Sequence, residues 1–296
     1  MLTPKDYPAI SVIVPSYNQG EYIEETLSSI IGQCYPNLEL IVIDGGSTDS
    51  TVEIIERYAD RIHYWHSKKD KGQADAINQG MRLSTGDILC WLNSDDMYMP
   101  GTLLDIGRRF HQRAQDRHLI YGGCLHVSQT QQQLSSHVQT TGGDFDPIRL
   151  TYCDFIAQPS AFWTRKLWTD AAELNSDYHY VLDWEWFIRA SKLTDFEYVP
   201  KLYSLYRFHD AHKSSTGGAK RCEEIVKIVN QYAPEYWQKL YQEVLNNYEK
   251  VGKIDSLLNN VKVPKRHLLF ALLLPQLWPQ LKQTQDIGTV LSMCLT

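Results

Sequence analysis

Short apolar runs alternate with helically spaced apolar positions through the first hundred residues. Residues 10–15 are rich in β-branched side chains and stop at Pro15. Ile23, Leu27, Ile30 and Ile31 then recur about one turn apart, as one buried face of a helix requires. Residues 38–44 read as a second buried strand, 51–59 as a helix capped by Asp49 or Ser50, and 62–66 as a third strand. A helix is expected over 73–83, with Ala74, Ile77 and Met81 inward, and a fourth strand over 88–92. Strands apolar on both faces and separated by helices predict an α/β fold with a mostly parallel central sheet flanked by helices. Such sheets take ligands at the carboxyl ends of their strands. The polar residues there are Ser16, Tyr17 and Asn18, then the turn Asp44, Gly45, Gly46 and Ser47, then Asn93, Ser94, Asp95 and Asp96. They are expected to converge on one site.

The pattern changes near residue 119. Short strands are expected over 119–121 and 125–127, a Gln-rich stretch precedes Val138, and residues 184–192 have the look of a helix. Strand-like runs follow over 196–200 and 202–208. The Ser and Gly run at 214–218 is a linker signal. Beyond it a helical extension is expected over 220–285, broken at Pro234, Pro264, Pro275 and Pro279. This divides the chain into residues 1–215, with halves 1–118 and 119–215, and a helical extension over 216–296.

Charge narrows the function. With 29 Lys and Arg against 35 Asp and Glu, the formal net charge is −6, whereas coating nucleic-acid phosphates needs a basic surface. No nucleic-acid partner is expected. Six scattered cysteines show no metal-ligand spacing and read as reduced thiols of a cytoplasmic protein. The apolar run 268–274 is far shorter than the ~20 residues that span a bilayer. Residues 262–282, apolar with flanking cations, offer either a peripheral membrane contact or a segment that packs on the protein or forms a dimer.

Neither a dinucleotide-binding nor a P-loop glycine pattern occurs. Asp95 and Asp96, adjacent after a strand, suit a hard divalent cation, and equally a solvated turn. The Asp44 turn would let a base or ribose approach its glycines closely, or is simply a strand-to-helix turn. Lys71, Gly72 and Gln73 precede a helix N-terminus, which suits a diphosphate or a solvated charge run. Asp183 opens a helix and is either its N-cap or a base facing a cleft. His209 is a metal ligand or a loop histidine. Tyr17, Trp91, Trp163, Trp184 and Trp186 are candidates for stacking on a base or sugar, one or two of them at most.

Taken together, the runs 10–18, 40–49 and 92–96, with Pro100 and Gly101 after them, resemble a family 2 glycosyltransferase of the GT-A fold. The stretch 70–80 resembles its bacterial polysaccharide and cell-surface glycan branch. The resemblance spans about residues 9–215, with four motifs in order. It implies that Pro15, Ser16, Tyr17, Asn18 and Asp44 hold the base and ribose of a sugar nucleotide, with UDP the expected carrier. Lys71, Gly72, Gln73 and Asp75 would lie near the donor, as would Asn93 and Ser94. Asp95 would bind Mn²⁺ or Mg²⁺, with Asp96 sharing that role and His209 approaching the metal or diphosphate.

Asp183 would be the general base of an inverting transfer to a glycan or lipid-linked acceptor, held in the Phe155-to-Lys192 region. Two positions depart from the family pattern. Asn93 replaces the first acid of the metal motif, and Leu182 replaces one of the acidic pair before Asp183, which leaves Glu185 as a rival base. The alternatives are a non-catalytic nucleotide- or glycan-binding relative and a nucleotidyltransferase. The charge is also divided: residues 1–215 carry 19 basic and 28 acidic side chains, a net of −9, whereas 216–296 carry 10 and 7, a net of +3. A −9 portion that binds an anionic donor calls for a cation, and the +3 portion suits an acidic membrane surface.

Overall fold

The structure is a computed structural model that describes residues 3, 6–130, 133–139, 144–209, 213, 217–260 and 284–295. The chain forms two compact units. One holds residues 1–145 and 155–209; the other holds 146–154 and 210–296.

In the first unit, β1 (Ile10–Ser16), β2 (Leu38–Asp44), β3 (Tyr64–Ser67) and β4 (Ile88–Trp91) lie side by side in the order β3-β2-β1-β4, all parallel. β1 is buried along its whole length, which is why it reads as an unbroken apolar run. Helix α1 (Ile23–Ile31) buries Ile23, Thr26, Leu27 and Ile30. α2 (Thr51–Arg57) is shorter than expected and passes into a 3-10 turn at Ala59–Arg61. α3 (Gln73–Leu83) lies hard against β1, because a Cβ on Gly80 would sit 2.5 Å from Cγ2 of Ile13. The parallel register pairs Ser16 with Asp44 and Asp44 with Ser67. Three strand ends therefore finish level at one edge of the sheet.

The remainder of the sheet is mixed rather than parallel. After the two-residue β5 (Met97–Tyr98) and helix α4 (Thr102–Phe110) come β6 (Leu119–Thr130) and β7 (Gln133–Gln139), which form an antiparallel pair. β8 (Ala161–Thr164) is antiparallel to both β4 and β6, and β9 (Glu197–Phe208) runs parallel to β6. β6 and β9 are each one long strand where two short ones were expected. Residues 122–123 of β6 and 199–202 of β9 meet at a register shift, so glycine and proline mark an irregularity here rather than an end. β5 pairs antiparallel with β9, Met97 opposite Leu205. That register carries Asp95 toward Arg207.

Asp105 on α4 fastens β9. Its carboxylate accepts from the Tyr203 hydroxyl at 2.6 Å, Nε of Arg109 at 2.9 Å and Nζ of Lys201 at 3.2 Å. Burial alone would raise its pKa, but those donors outweigh it and hold the group at about 2. The folded value lies below the unfolded one of about 3.9, so the stabilisation is complete above about pH 5 and is lost as pH falls through about 2. Asp105→Asn should cost about 2 kcal/mol at pH 7 in urea unfolding. The difference from the native chain should shrink steadily below about pH 5 and be nearly gone by about pH 1–2; a constant difference across that range would contradict this.

The second unit contains α5 (Pro147–Leu150) and the helices Gly218–Tyr232 (α8), Glu235–Asn246 (α9), Tyr248–Asn260 (α10) and Thr284–Leu295 (α11). Pro234 separates α8 from α9 as expected, whereas the break at Asn247 has no proline. Cys222, Ile225, Val226, Ile228 and Val229 form the buried face of α8. Tyr152 stacks on Trp237 with ring centroids 3.9 Å apart, and the buried Tyr241 hydroxyl donates to the Tyr152 carbonyl. Among the described residues no helix is long and apolar enough to cross a membrane. Residues 262–282 and most of the linker signal at 214–218 lie outside the described residues.

Candidate functional site

The level strand ends gather the first polar residues. Asp44 is fully buried and its carboxylate is spent on the turn that follows. Oδ2 accepts from the backbone N–H groups of Gly46 and Ser47 and from the Ser67 hydroxyl, at 2.6–3.0 Å, and Oδ1 accepts from the Ser47 hydroxyl at 2.5 Å. Gly46 takes φ +86°, a conformation open to glycine. Asn18 also has positive φ and is tied across to the same turn, its N–H donating to Ser47 Oγ and its Oδ1 accepting from Thr48 N–H. Asp49 rather than Ser50 supplies the side-chain contact at the start of α2, accepting from the backbone N–H of Thr51. Ser16 Oγ is buried with no hydrogen-bond partner among the described residues, and Tyr17 beside it is 60% exposed.

Of the five aromatic residues offered for stacking, the four tryptophans are core. Trp91, Trp163, Trp184 and Trp186 are at most 1% exposed, and Trp163 touches both Trp91 and Trp186. Tyr17 alone faces solvent.

Gly72, with φ +107°, turns the chain into α3. Its N–H donates to Asp70, and Lys71 N–H donates to Asp75 at 3.1 Å. Burial, reinforced by the charges of Asp75 and Asp44, raises the Asp70 pKa despite the opposing bond from Gly72. Gln73 Nε2 donates to Asn93 Oδ1 at 2.8 Å, so the start of α3 is joined to the loop after β4. That loop places its two acids differently. Asp95 keeps an accessible carboxylate, its side chain 16% exposed, with Oδ2 3.2 Å from Nε2 of His209.

Asp96 is 1% exposed. Its Oδ1 accepts from Arg207 N–H at 3.1 Å, and Asn93 Nδ2 lies 3.5 Å from Oδ2. Burial, with the charge of Asp95 beside it, pushes the Asp96 carboxyl well above the usual range. Asp96 therefore faces inward as an acceptor for Arg207, and the more accessible acid is Asp95, paired with a His209 side chain only 5% exposed.

That pair fits a divalent cation in part. Two donors at about 2.1 Å in adjacent octahedral positions lie about 3 Å apart, close to the separation seen here. Among the described residues no group of three or more His, Cys, Asp or Glu is arranged around one metal position. A cation here would complete its shell with water and substrate oxygens, the usual habit of Mg²⁺.

Beyond β8, α6 (Arg165–Ala171) leads to α7 (Leu182–Ser191), whose N-cap position is Val181. Asp183 lies inside the first turn rather than capping it, with Oδ1 2.9 Å from the N–H of Trp184. Acidic groups are favoured there by the helix dipole. Glu185 is 3% exposed and grips Arg189 with both oxygens at 2.8–3.0 Å. Arg189 also donates to carbonyls at 171–173. Glu185 is thus engaged in holding α7 to the turn after α6. Glu185→Ala leaves a half-buried guanidinium without its carboxylate and should cost about 2 kcal/mol, read by urea unfolding; a loss under about 0.5 kcal/mol would show the pair is not structural.

Arg207 was absent from the sequence-based candidates, although it stands two residues before His209. Nothing local marks it, because its partners lie more than a hundred residues away.

A family model described as glycosyl transferase family 2 matches residues 11–152. A glycosyltransferase of Rickettsia bellii is 36% identical over 119 residues, 40% of this chain and 17% of its own. The chain spans less than a third of the length of the Rickettsia relatives it matches. A PGL/p-HBAD biosynthesis glycosyltransferase of Mycobacterium tuberculosis is 31% identical over 187 residues, 62% of this chain and 70% of its own. Among solved structures, Staphylococcus aureus TarS 1–349 in complex with UDP-GlcNAc aligns with TM-score 0.60 and 18% identity, covering 80% of this chain and 70% of that one. The mannosyltransferase PcManGT from Pyrobaculum calidifontis, in complex with GDP-Man and Mn²⁺, aligns with TM-score 0.61 and 17% identity over 99% and 88%. At such identities these two likenesses bear on the fold.

Proposed function

The chain belongs to glycosyl transferase family 2 and has the GT-A fold, and on that premise we propose that it moves a sugar from a nucleoside-diphosphate donor to a hydroxyl of a glycan or lipid-linked acceptor, with inversion at the anomeric carbon. The observation that carries this reading is the pairing of Asp95, in the loop after β4, with His209, just past the end of β9. UDP is the proposed carrier; TarS has been solved in complex with UDP-GlcNAc and PcManGT in complex with GDP-Man. Pro15, Ser16, Tyr17, Asn18 and the Asp44 turn hold the nucleoside, Asp44 by shaping the turn since its own oxygens are occupied. Lys71, Gly72, Gln73, Asp75, Asn93 and Ser94 flank the donor where α3 begins.

Asp183 accepts the proton from the acceptor hydroxyl as its oxygen attacks the anomeric carbon. It stands in the first turn of α7, and its neighbour Glu185 is engaged with Arg189. A divalent cation, Mn²⁺ or Mg²⁺, held by Asp95 and His209 would offset the negative charge that grows on the departing diphosphate. A single displacement with one base inverts the sugar and needs no covalent intermediate. Sugar-nucleotide chemistry suits the cytoplasmic side, and the +3 charge of residues 216–296 suits contact with an anionic membrane surface.

A panel of UDP- and GDP-sugars, incubated with Mn²⁺ or Mg²⁺ and assayed for nucleoside diphosphate release, tests the proposal. One donor should turn over well above the rest. Binding of a donor without release from any of them would favour the non-catalytic relative.

A further inference from the structure

Behind the Asp95 and His209 pair lies a ring of contacts closed by one residue. Arg207, 6% exposed, donates its backbone N–H to Oδ1 of Asp96 and its Nε to the carbonyl of Asp95, both at 3.1 Å. Its Nη2 is paired with Glu25 on α1. The guanidinium carbon lies 5.0 Å from the centre of the Tyr22 ring, and that ring stacks on His209 with centroids 4.4 Å apart and planes 33° apart. His209 then returns to Asp95. One side chain thus holds the main chain of Asp95 by a hydrogen bond and the imidazole of His209 through the ring between them.

We infer that Arg207 is a positioning residue, fixing Asp95 Oδ2 and His209 Nε2 at the separation that admits one divalent cation. The inference rests on the reading of that pair as a cation site. The guanidinium is suited to the task because its planar fork can bond the Asp95 carbonyl and Glu25 while its carbon stays over the Tyr22 ring, a combination of directed bonds that an ammonium does not reproduce. Glu25 supplies the opposite charge, so the arginine can stand near a cation without a large repulsion. A direct grip on donor phosphate suits it less well, since Nε and Nη2 already have acceptors. Each contact of the ring serves the placement of two atoms.

The test titrates Mn²⁺ alone into the full chain and reads free Mn²⁺ by electron paramagnetic resonance, with thermal unfolding as the check on folding. The native chain should bind Mn²⁺, and Asp95→Ala should abolish that binding. Arg207→Lys, which keeps the charge and loses the fork, should weaken Mn²⁺ binding tenfold or more with little change in Tm. If Arg207→Lys fails to fold, Tyr22→Leu removes the ring instead and should weaken binding in the same way. Binding within twofold of native in a folded Arg207→Lys chain overturns the positioning role and leaves the cation site standing. No Mn²⁺ binding by the native chain, or binding indifferent to Asp95→Ala, overturns the cation site and the inference with it.

Discussion

Asp183→Asn should lower kcat by about 10²–10⁴-fold, the range a positioned base contributes, while donor affinity stays within about twofold. Asparagine keeps the size and the contact with the Trp184 N–H, so α7 should be undisturbed; it cannot take a proton from the acceptor hydroxyl. The loss should therefore appear in kcat, with the donor KM little changed. The comparison with Glu185→Ala makes the assignment sharp. Glu185 lies two residues on, is buried and is bound to Arg189, so its removal should act on stability and leave the chemical step of the folded fraction largely intact. Turnover of Asp183→Asn near that of the native chain, with donor still bound, would remove Asp183 as the base.

Asp95→Ala should lower activity by about 10²–10³-fold, because stabilisation of the leaving group by a metal amounts to several kcal/mol. Here donor binding should weaken as well. Residues 1–215 carry a net charge of −9, and an anionic diphosphate enters that field more readily with a cation in place. Excess chelator should bring the native chain down to the level of the variant and leave the variant itself unaffected. A variant still sensitive to chelator would locate the essential metal elsewhere, and a native chain indifferent to chelator would remove the metal from the account.

β1, β2 and β4 and helices α1 and α3 were legible because their apolar patterns are those of elements buried on one or both faces, and such patterns survive without tertiary information. Where the structure departs from the pattern, local signals misled. Gly122 and Gly123 look like the end of a strand, and Pro200 looks like another, yet both fall at one irregularity between β6 and β9. There Pro200 has no ladder bond to donate. α4 was hidden behind the turn signal of Pro100 and Gly101 and weakened by Gly107, although Leu103, Ile106 and Phe110 are its buried face. The tryptophans could not be told from a sugar platform, since an aromatic side chain has the same sequence signature buried or exposed.

The candidate site divides along the same line. Asp44, Asp95 and Asp183 stand directly after strands or at a helix start, and their placement follows from local pattern. The rivalry of Asp183 and Glu185 had a readable clue, since Glu185 and Arg189 are spaced i, i+4 on one helix face. Asp96 and Arg207 had none. Which of two adjacent acids turns inward depends on the pairing of β5 with β9, a contact across more than a hundred residues.

The transfer itself is best tested by the anomeric configuration of the product. With the donor that turns over and an acceptor it glycosylates, proton NMR of the new linkage should show the configuration opposite to that of the donor sugar, from the first turnovers onward. Retention of the donor configuration would contradict a single displacement with Asp183 as its base.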